Sequence, residues 1–150
     1  MEPDKEKSRI LYDLCRDQPL AVLATTNGTA PYASLVAIAI SEDLRCLYFA
    51  TPRATRKVAN LTGHHQVALL LDNRSNQVSD FSRAAAATLI GHATELQGSE
   101  RERGLAIYLG RHPHLAGFTA SPGTALYGVT VEQISLVTRF QQVIDYHLNP

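Results

Sequence analysis

The spacing of hydrophobic positions changes several times along this chain, and each change marks an element. Residues 4–17 place Ile10, Leu11, Leu14 and Cys15 on one stripe at helical spacing, behind a first turn of Asp4, Lys5, Glu6 and Lys7. Pro19 stops that helix. Residues 20–26 are short, apolar and partly β-branched, which predicts a strand. Asn27-Gly28 predicts a two-residue hairpin turn into a second strand at 32–40. The run 35–40 is apolar at every position, so both faces of that strand are expected to be buried. Ser41-Glu42-Asp43 predicts a polar turn, and 45–50 a third strand.

Residues 55–62 read as a short helix with Val58 and Leu61 on one side. Thr55 or the turn before it serves as N-cap, and Gly63 as C-cap. A fourth strand at 67–71 runs into the polar segment 72–79. Residues 83–96 carry conflicting signals. Ala84 to Ala87 favours a helix over 83–89 by propensity, while Thr88, Ile90 and Thr94, with Gly91 in mid-run, fit a bulged strand. A helix at 99–109 has Ser99 and Glu102 as a capping box and Leu105, Ala106, Tyr108 and Leu109 as its buried stripe. Gly110 and Pro113 stop it. Two further strands, 126–131 and 135–140, flank a Val131-Glu132-Gln133 turn, and 141–150 is compatible with a strand or with loose packing. The strands follow one another too closely for parallel crossovers. The economical fold is mainly β: an antiparallel barrel of about six strands with peripheral helices, in one domain spanning 1–150.

Length and charge narrow the function classes. At 150 residues the chain suits one core of ordinary size. Fourteen Lys and Arg against fourteen Asp and Glu leave it neutral, which argues against broad nucleic-acid binding. No apolar stretch approaches the roughly 20 residues that a bilayer span needs. The charged start MEPDKEKSR leads into no signal-like apolar segment, so a cytoplasmic protein without membrane contact is expected. Cys15 and Cys46 have no CxxC partner and are expected as buried free thiols.

Against that neutral background, TPRATRKVANL gathers Arg53, Arg56 and Lys57 where the third strand meets the short helix. Cations at a helix N-terminus oppose the macrodipole unless an anion offsets them. The junction therefore reads either as a phosphate site, using the orphan N–H groups and the Thr51 or Thr55 hydroxyl, or as a solvated basic turn. His64, His65, His92, His112 and His114 form no convincing metal pattern, and no metal is expected. No GxSxG, GxGxxG or Walker A pattern occurs, and no catalytic residue is evident.

The order of parts carries a resemblance. The hairpin GTAPYASLVAIAI, a strand ending LYFATP, the TRKVANL helix, VALLL, GHATEL, a helix ending YLGRHP and the closing LYGVTVEQISLV follow in succession. Together they resemble the pyridoxamine 5'-phosphate oxidase-like superfamily of FMN-binding split barrels, nearest to its short HugZ-like, haem-utilisation branch. The resemblance implies a six-stranded Greek-key split β-barrel. It also implies a homodimer with FMN at the subunit interface, acting as an oxidoreductase on a small molecule, and it settles 84–96 as strand. Ala33, Ser34 and Leu35 would then face the flavin ring, largely through backbone groups. Ala50 and Thr51 would line the ribityl chain and phosphate, and Thr55, Arg56 and Lys57 would hold the phosphate. Asn60-Leu61 matches a family signature that reads as helix end and core.

The departures bear on activity. The oxidases' Tyr-x-x-x-Arg-Pro element is Tyr108 to Pro113 here, with His112 at the Arg position and Arg111 beside it. Tyr108, Arg111 and His112 are the substrate-side candidates. A Gln that the oxidases place against the flavin falls near Ala86, and the chain has no Trp, so vitamin B6 oxidation is not expected. Two other readings stay open. One is a HugZ-type haem-binding or haem-degrading protein with His64, His65, His112 or His114 as ligand. The other is a cofactor-free split-barrel binding dimer.

Overall fold

The computed structural model describes residues 5–139 and 142–148. The expected helix start at Asp4, the strand end at Phe140 and the tail residues Gln141, Asn149 and Pro150 lie outside them. The elements run in the order α1 (Lys5–Asp17), β1 (Leu20–Thr26), β2 (Pro31–Ile40), β3 (Cys46–Pro52), α2 (Arg56–Gly63), β4 (Gln66–Asp72) and the one-turn α3 (Asp80–Arg83). Then come β5 (Ala85–Glu95), α4 (Gly98–Arg111), a 3-10 turn (Pro113–Leu115), α5 (Ala116–Ala120), β6 (Thr124–Thr138) and β7 (Gln142–His147). Among the described residues no helix is long and apolar enough to cross a membrane.

All strand pairs are antiparallel. Neighbours run β3-β2-β1-β4-β5-β6, and β3 also pairs β6, so six strands close into a barrel. β7 hangs outside the ring on the far half of β6. Alternation sends Leu23, Ile38, Phe49, Leu69, Leu89 and Leu136 into the interior, where none has exposed surface. The amphipathic stripe of α1 joins the same core through Leu11, Leu14 and Cys15. Both cysteines are free, Cys15 buried and Cys46 half-buried.

Several expectations are corrected by the pairing. Residues 85–95 do form the strand that the resemblance implied: both edges are paired, to β4 and to β6, and tertiary pairing outweighs alanine's helix propensity. The expected turn at Val131-Glu132-Gln133 is a bulge inside one 15-residue strand: Gly91 pairs Val131 while Ile90 pairs Gln133, leaving Glu132 as the extra residue. Gly91 is required there, since a Cβ would lie 1.9 Å from the Thr130 carbonyl oxygen. The Asn27-Gly28 turn is a four-residue loop between Thr26 and Pro31. Asn27 Oδ1 accepts from the Thr29 and Ala30 amides, and Gly28 takes φ +97°. α4 begins at Gly98 with Gln97 as N-cap, which puts Ser99 inside the first turn, and the Ser99–Glu102 box does not form. Its buried line runs through Gly104 and Tyr108, with Ala106 exposed. β2 is not buried on both faces: Leu35 is 65% exposed.

Candidate functional site

The barrel has a seam. The β2–β3 ladder holds only Ile38↔Phe49, Ala39↔Tyr48 and Ile40↔Leu47. Beyond these pairs β2 continues against β1 to Pro31↔Thr26, and β3 continues against β6 to Pro52↔Thr124. The two strands therefore part after Ile38 and Phe49. The Ile38 N–H bonds Pro19 on the β1 side. Antiparallel alternation turns the main-chain groups of Ala37, Leu35 and Ala33 the other way, into the gap.

α4 covers the apex of this gap. It packs close because of Gly104, where a Cβ would come within 2.8 Å of Leu96 and 2.9 Å of Tyr48. Four residues on, Tyr108 has no exposed surface. Its hydroxyl donates to the Ala37 carbonyl at 3.2 Å. Burial pushes this phenol above its ordinary value, and the Ala50 backbone pulls the other way. His112, 4% exposed, sets Nε2 2.6 Å from the Ile38 carbonyl oxygen and packs its ring against Tyr108. Facing a carbonyl, that nitrogen is the protonated donor. Arg111 Nη1 donates to the Cys15 carbonyl at 3.2 Å, tying α4 to α1. The three substrate-side candidates are thus placed as internal ties, and Tyr108 and His112 present no surface to a substrate from this chain.

The open end of the gap meets α2. Thr55 is its N-cap: Oγ1 accepts from the Val58 N–H at 3.4 Å and donates to the Pro52 carbonyl at 3.0 Å. No acidic residue stands in the first turn. The Arg56 guanidinium lies 5.3 Å from the Tyr32 ring centroid, which brings the start of α2 to the start of β2. Lys57 is half-buried, and burial holds its ammonium below the ordinary lysine value. Among the described residues it has no hydrogen-bond or ion-pair partner. Asn60, 6% exposed, anchors α2 to β1 by donating from Nδ2 to Thr25 Oγ1 at 3.0 Å, and Leu61 is core, as the Asn-Leu signature implied. Tyr32 was not singled out from the sequence; an aromatic at a strand start carries no signal of its own.

The remaining candidates divide. Ala33 and Leu35 point outward, whereas Ser34 pairs the interior residue Leu23 and its buried Oγ has no partner. Side chains of these three cannot meet one ligand, but the backbone of Ala33 and Leu35 can. Ala50 and Thr51 border the gap with little surface, at 8% and 1% exposure. Arg53 belongs elsewhere: it pairs Glu95 at 2.7 Å and the Pro122 carbonyl at 3.1 Å, clamping the end of β3. A cavity of about 830 Å³ lies beside the β6 bulge, lined in part by Arg45, Cys46, His92 and Glu132. There His92 Nδ1 faces the Glu132 carboxylate.

The pyridoxamine 5'-phosphate oxidase family profile matches residues 11–138. The chain belongs to this family. Its match runs from α1 to the end of β6 and so contains both the seam and the α2 start. No curated protein matches the chain. Among solved structures the fold is similar to the heme binding protein of Mycobacterium smegmatis, with a TM-score of 0.84 at 15% identity; 98% of this chain and 59% of that one are covered. It is also similar to HutZ, the heme storage protein of Vibrio cholerae, at TM-score 0.72 and 15% identity over 87% of this chain and 92% of that one. A FAD-binding protein of Mesorhizobium loti matches at TM-score 0.69 and 14% identity over 86% and 90%. The chain thus spans less than two thirds of the mycobacterial protein, and identities at this level speak to the fold.

Proposed function

We propose that this family member is an FMN-binding flavoprotein, an oxidoreductase acting on a small molecule as a homodimer. The observation that carries the reading is the start of α2. A helix N-terminus leaves its first amides without intrahelical acceptors and carries partial positive charge. Here Arg56 and a half-buried, unpaired Lys57 add two cations with no acid in the turn. A phosphate offsets all of these at once. The residues fit the group: Thr55, Arg56 and Lys57 would hold the phosphate, and Ala50, Thr51 and the backbone of Ala33 and Leu35 would border the rest along the seam. Bound flavin supplies the electron-transfer chemistry, and the protein supplies position and electrostatics.

The dimer reading rests on the outer face of β1, β2 and β4. Leu35, Val22 and Leu70 lie in one row across the three strands, and Ala33, Ala24 and Ala68 in the next. Leu20, Leu35 and Leu70 are 47%, 65% and 37% exposed. A second copy of the chain would cover these two apolar rows and wall the seam.

Titration of the purified protein with FMN, followed by flavin fluorescence, tests the site. Arg56→Ala plus Lys57→Ala removes two charge-assisted contacts, about 1.5–3 kcal/mol each, so affinity should fall about 100-fold or more. Retained affinity in the double variant would sink the assignment. Haem is the competing ligand, favoured by the names of two structural neighbours. A Soret band on adding haem, lost with His64→Ala or His65→Ala, would replace the flavin reading. With Nε2 on the Ile38 carbonyl, His112 has only Nδ1 to offer a metal, and its side chain is 4% exposed. No spectral change with either compound would favour the cofactor-free dimer.

A further inference from the structure

We propose that Tyr32 is the residue that aims Arg56 at the phosphate, and that it thereby sets the preference of this site for FMN over riboflavin. The ligand in this proposal rests on the flavin reading; the geometry rests on the β1–β2 hairpin. α2 lies along that hairpin and meets it at three points. Arg56 and Asn60 are four residues apart and share one side of the helix, and His64 follows at the C-cap. The Arg56 guanidinium stands over the Tyr32 ring, with Cζ 5.3 Å from its centroid. Asn60 Nδ2 donates to Thr25 Oγ1 at 3.0 Å. His64 comes so close to the hairpin loop that a Cβ on Gly28 would lie 2.8 Å from its Nε2. Thr25 and Tyr32 are directly opposed across the two strands, so their side chains project from the same face. One cross-strand pair thus holds two successive turns of α2, Thr25 through a hydrogen bond and Tyr32 through its ring.

What the ring does for Arg56 follows from the bonds it leaves unmade. An aromatic face attracts a cation without offering it an acceptor atom. Among the described residues Arg56 makes no hydrogen bond and no ion pair, so its N–H donors stay available while the side chain is held. Arg53, three residues earlier, shows the alternative: the Glu95 carboxylate and the Pro122 carbonyl occupy its donors, and it serves as a clamp. A carboxylate in place of Tyr32 would fix Arg56 as firmly, but it would cancel the charge and occupy the fork that a phosphate needs. An exposed arginine with no ring beside it would lose its rotamer freedom only on binding, at a cost in affinity. Tyr32 removes much of that cost beforehand. It is accordingly a positioning residue that acts through Arg56.

Fluorescence titrations with FMN and with riboflavin, which lacks the phosphate, read the preference directly. Tyr32→Leu removes the ring face and keeps apolar bulk, so the ratio of FMN to riboflavin affinity should fall about fivefold. Tyr32→Phe keeps the face and should hold the ratio within about twofold. In an Arg56→Ala background Tyr32→Leu should change the ratio by less than about twofold, because the ring acts through that side chain. A ratio near one in the unsubstituted protein, a ratio indifferent to Tyr32→Leu, or the same loss with Arg56 already removed overturns the proposal. NMR gives a check that needs no ligand: the Arg56 Cδ protons should be displaced upfield by the ring and return on Tyr32→Leu, and no displacement also overturns it. If the unsubstituted protein binds neither flavin, the flavin reading fails, and inorganic phosphate decides the positioning role. Its addition should move the Arg56 Nε–H resonance, with a higher midpoint in Tyr32→Leu; equal midpoints, or no movement, overturn that role too.

Discussion

Asn60 ties α2, the helix that Thr55 caps and that carries Arg56 and Lys57, to β1 in the barrel wall, so its loss tests how firmly that helix is held. Its Nδ2 donates to Thr25 Oγ1 at 3.0 Å, and the two residues are 6% and 3% exposed. Asn60→Ala removes a hydrogen bond worth about 1 kcal/mol net and leaves a buried hydroxyl unsatisfied, which costs about 1–3 kcal/mol more. Relaxation into the small void returns part of that, so a loss of about 2–3 kcal/mol is expected. Thr25→Val keeps the shape of the other partner and orphans the amide at a similar cost. The double variant has no orphan on either side. It should therefore cost less than the sum of the single changes by about 1–2 kcal/mol. Equilibrium urea denaturation of the four proteins gives all three numbers. Strict additivity, or an Asn60→Ala loss under about 0.5 kcal/mol, would refute the tie. Under conditions where the single variant stays folded, weaker FMN binding is expected with it, because the phosphate groups ride on the loosened helix.

Gly91→Ala should destabilise the fold by more than about 2 kcal/mol in the same assay, because its Cβ meets the Thr130 carbonyl oxygen at 1.9 Å and the strands must part at the bulge; a neutral result would mean the bulge yields freely. Leu35→Asp should turn a dimer into a monomer in sedimentation velocity while leaving the melting temperature of the single chain little changed, since Leu35 is 65% exposed there; a dimeric Leu35→Asp protein would remove the proposed interface. Burial pushes the Cys15 thiol from 9.0 up to about 12. The unfolded thiol loses its proton first, so its contribution is intact below pH 9 and is lost as pH rises towards 12, by at most about 1.4 kcal/mol per pH unit. Cys15→Ala should flatten the alkaline decline of stability by that slope, and an unchanged decline would contradict the shift.

What the sequence discloses depends on how far apart the deciding residues stand. The start of α2 was readable because every term is local: Thr55 reaches Val58 three residues away, and Arg56 and Lys57 violate a rule about their own helix end. The hairpins were readable in order but not in detail, since Asn27 Oδ1 builds a four-residue loop from a pair that more often makes a two-residue one. Residues 85–95 contradict their local propensity because partners on both edges lie far away in the chain. Glu132 looked like a turn for the same reason: a charged residue between apolar runs marks either a reversal or a bulge, and only the β5 register separates them.

The seam is the extreme case of this dependence. Along β2 the run from Leu35 to Ile40 is uniformly apolar, and nothing in it says where pairing with β3 should end. The side chains that bond this run where the pairing ends are Tyr108, 71 residues beyond Ala37, and His112, 74 beyond Ile38. Their spacing of four puts both polar atoms on one face of α4, over two adjacent carbonyls of one strand. Read alone, that pair resembles a substrate contact, because buried and exposed polar residues look alike in a sequence. Their burial and their bonds to β2 tie α4 to the barrel, and this changes what a substitution there should do: loss of the Tyr108 hydroxyl ought to lower stability by leaving the Ala37 carbonyl one partner short.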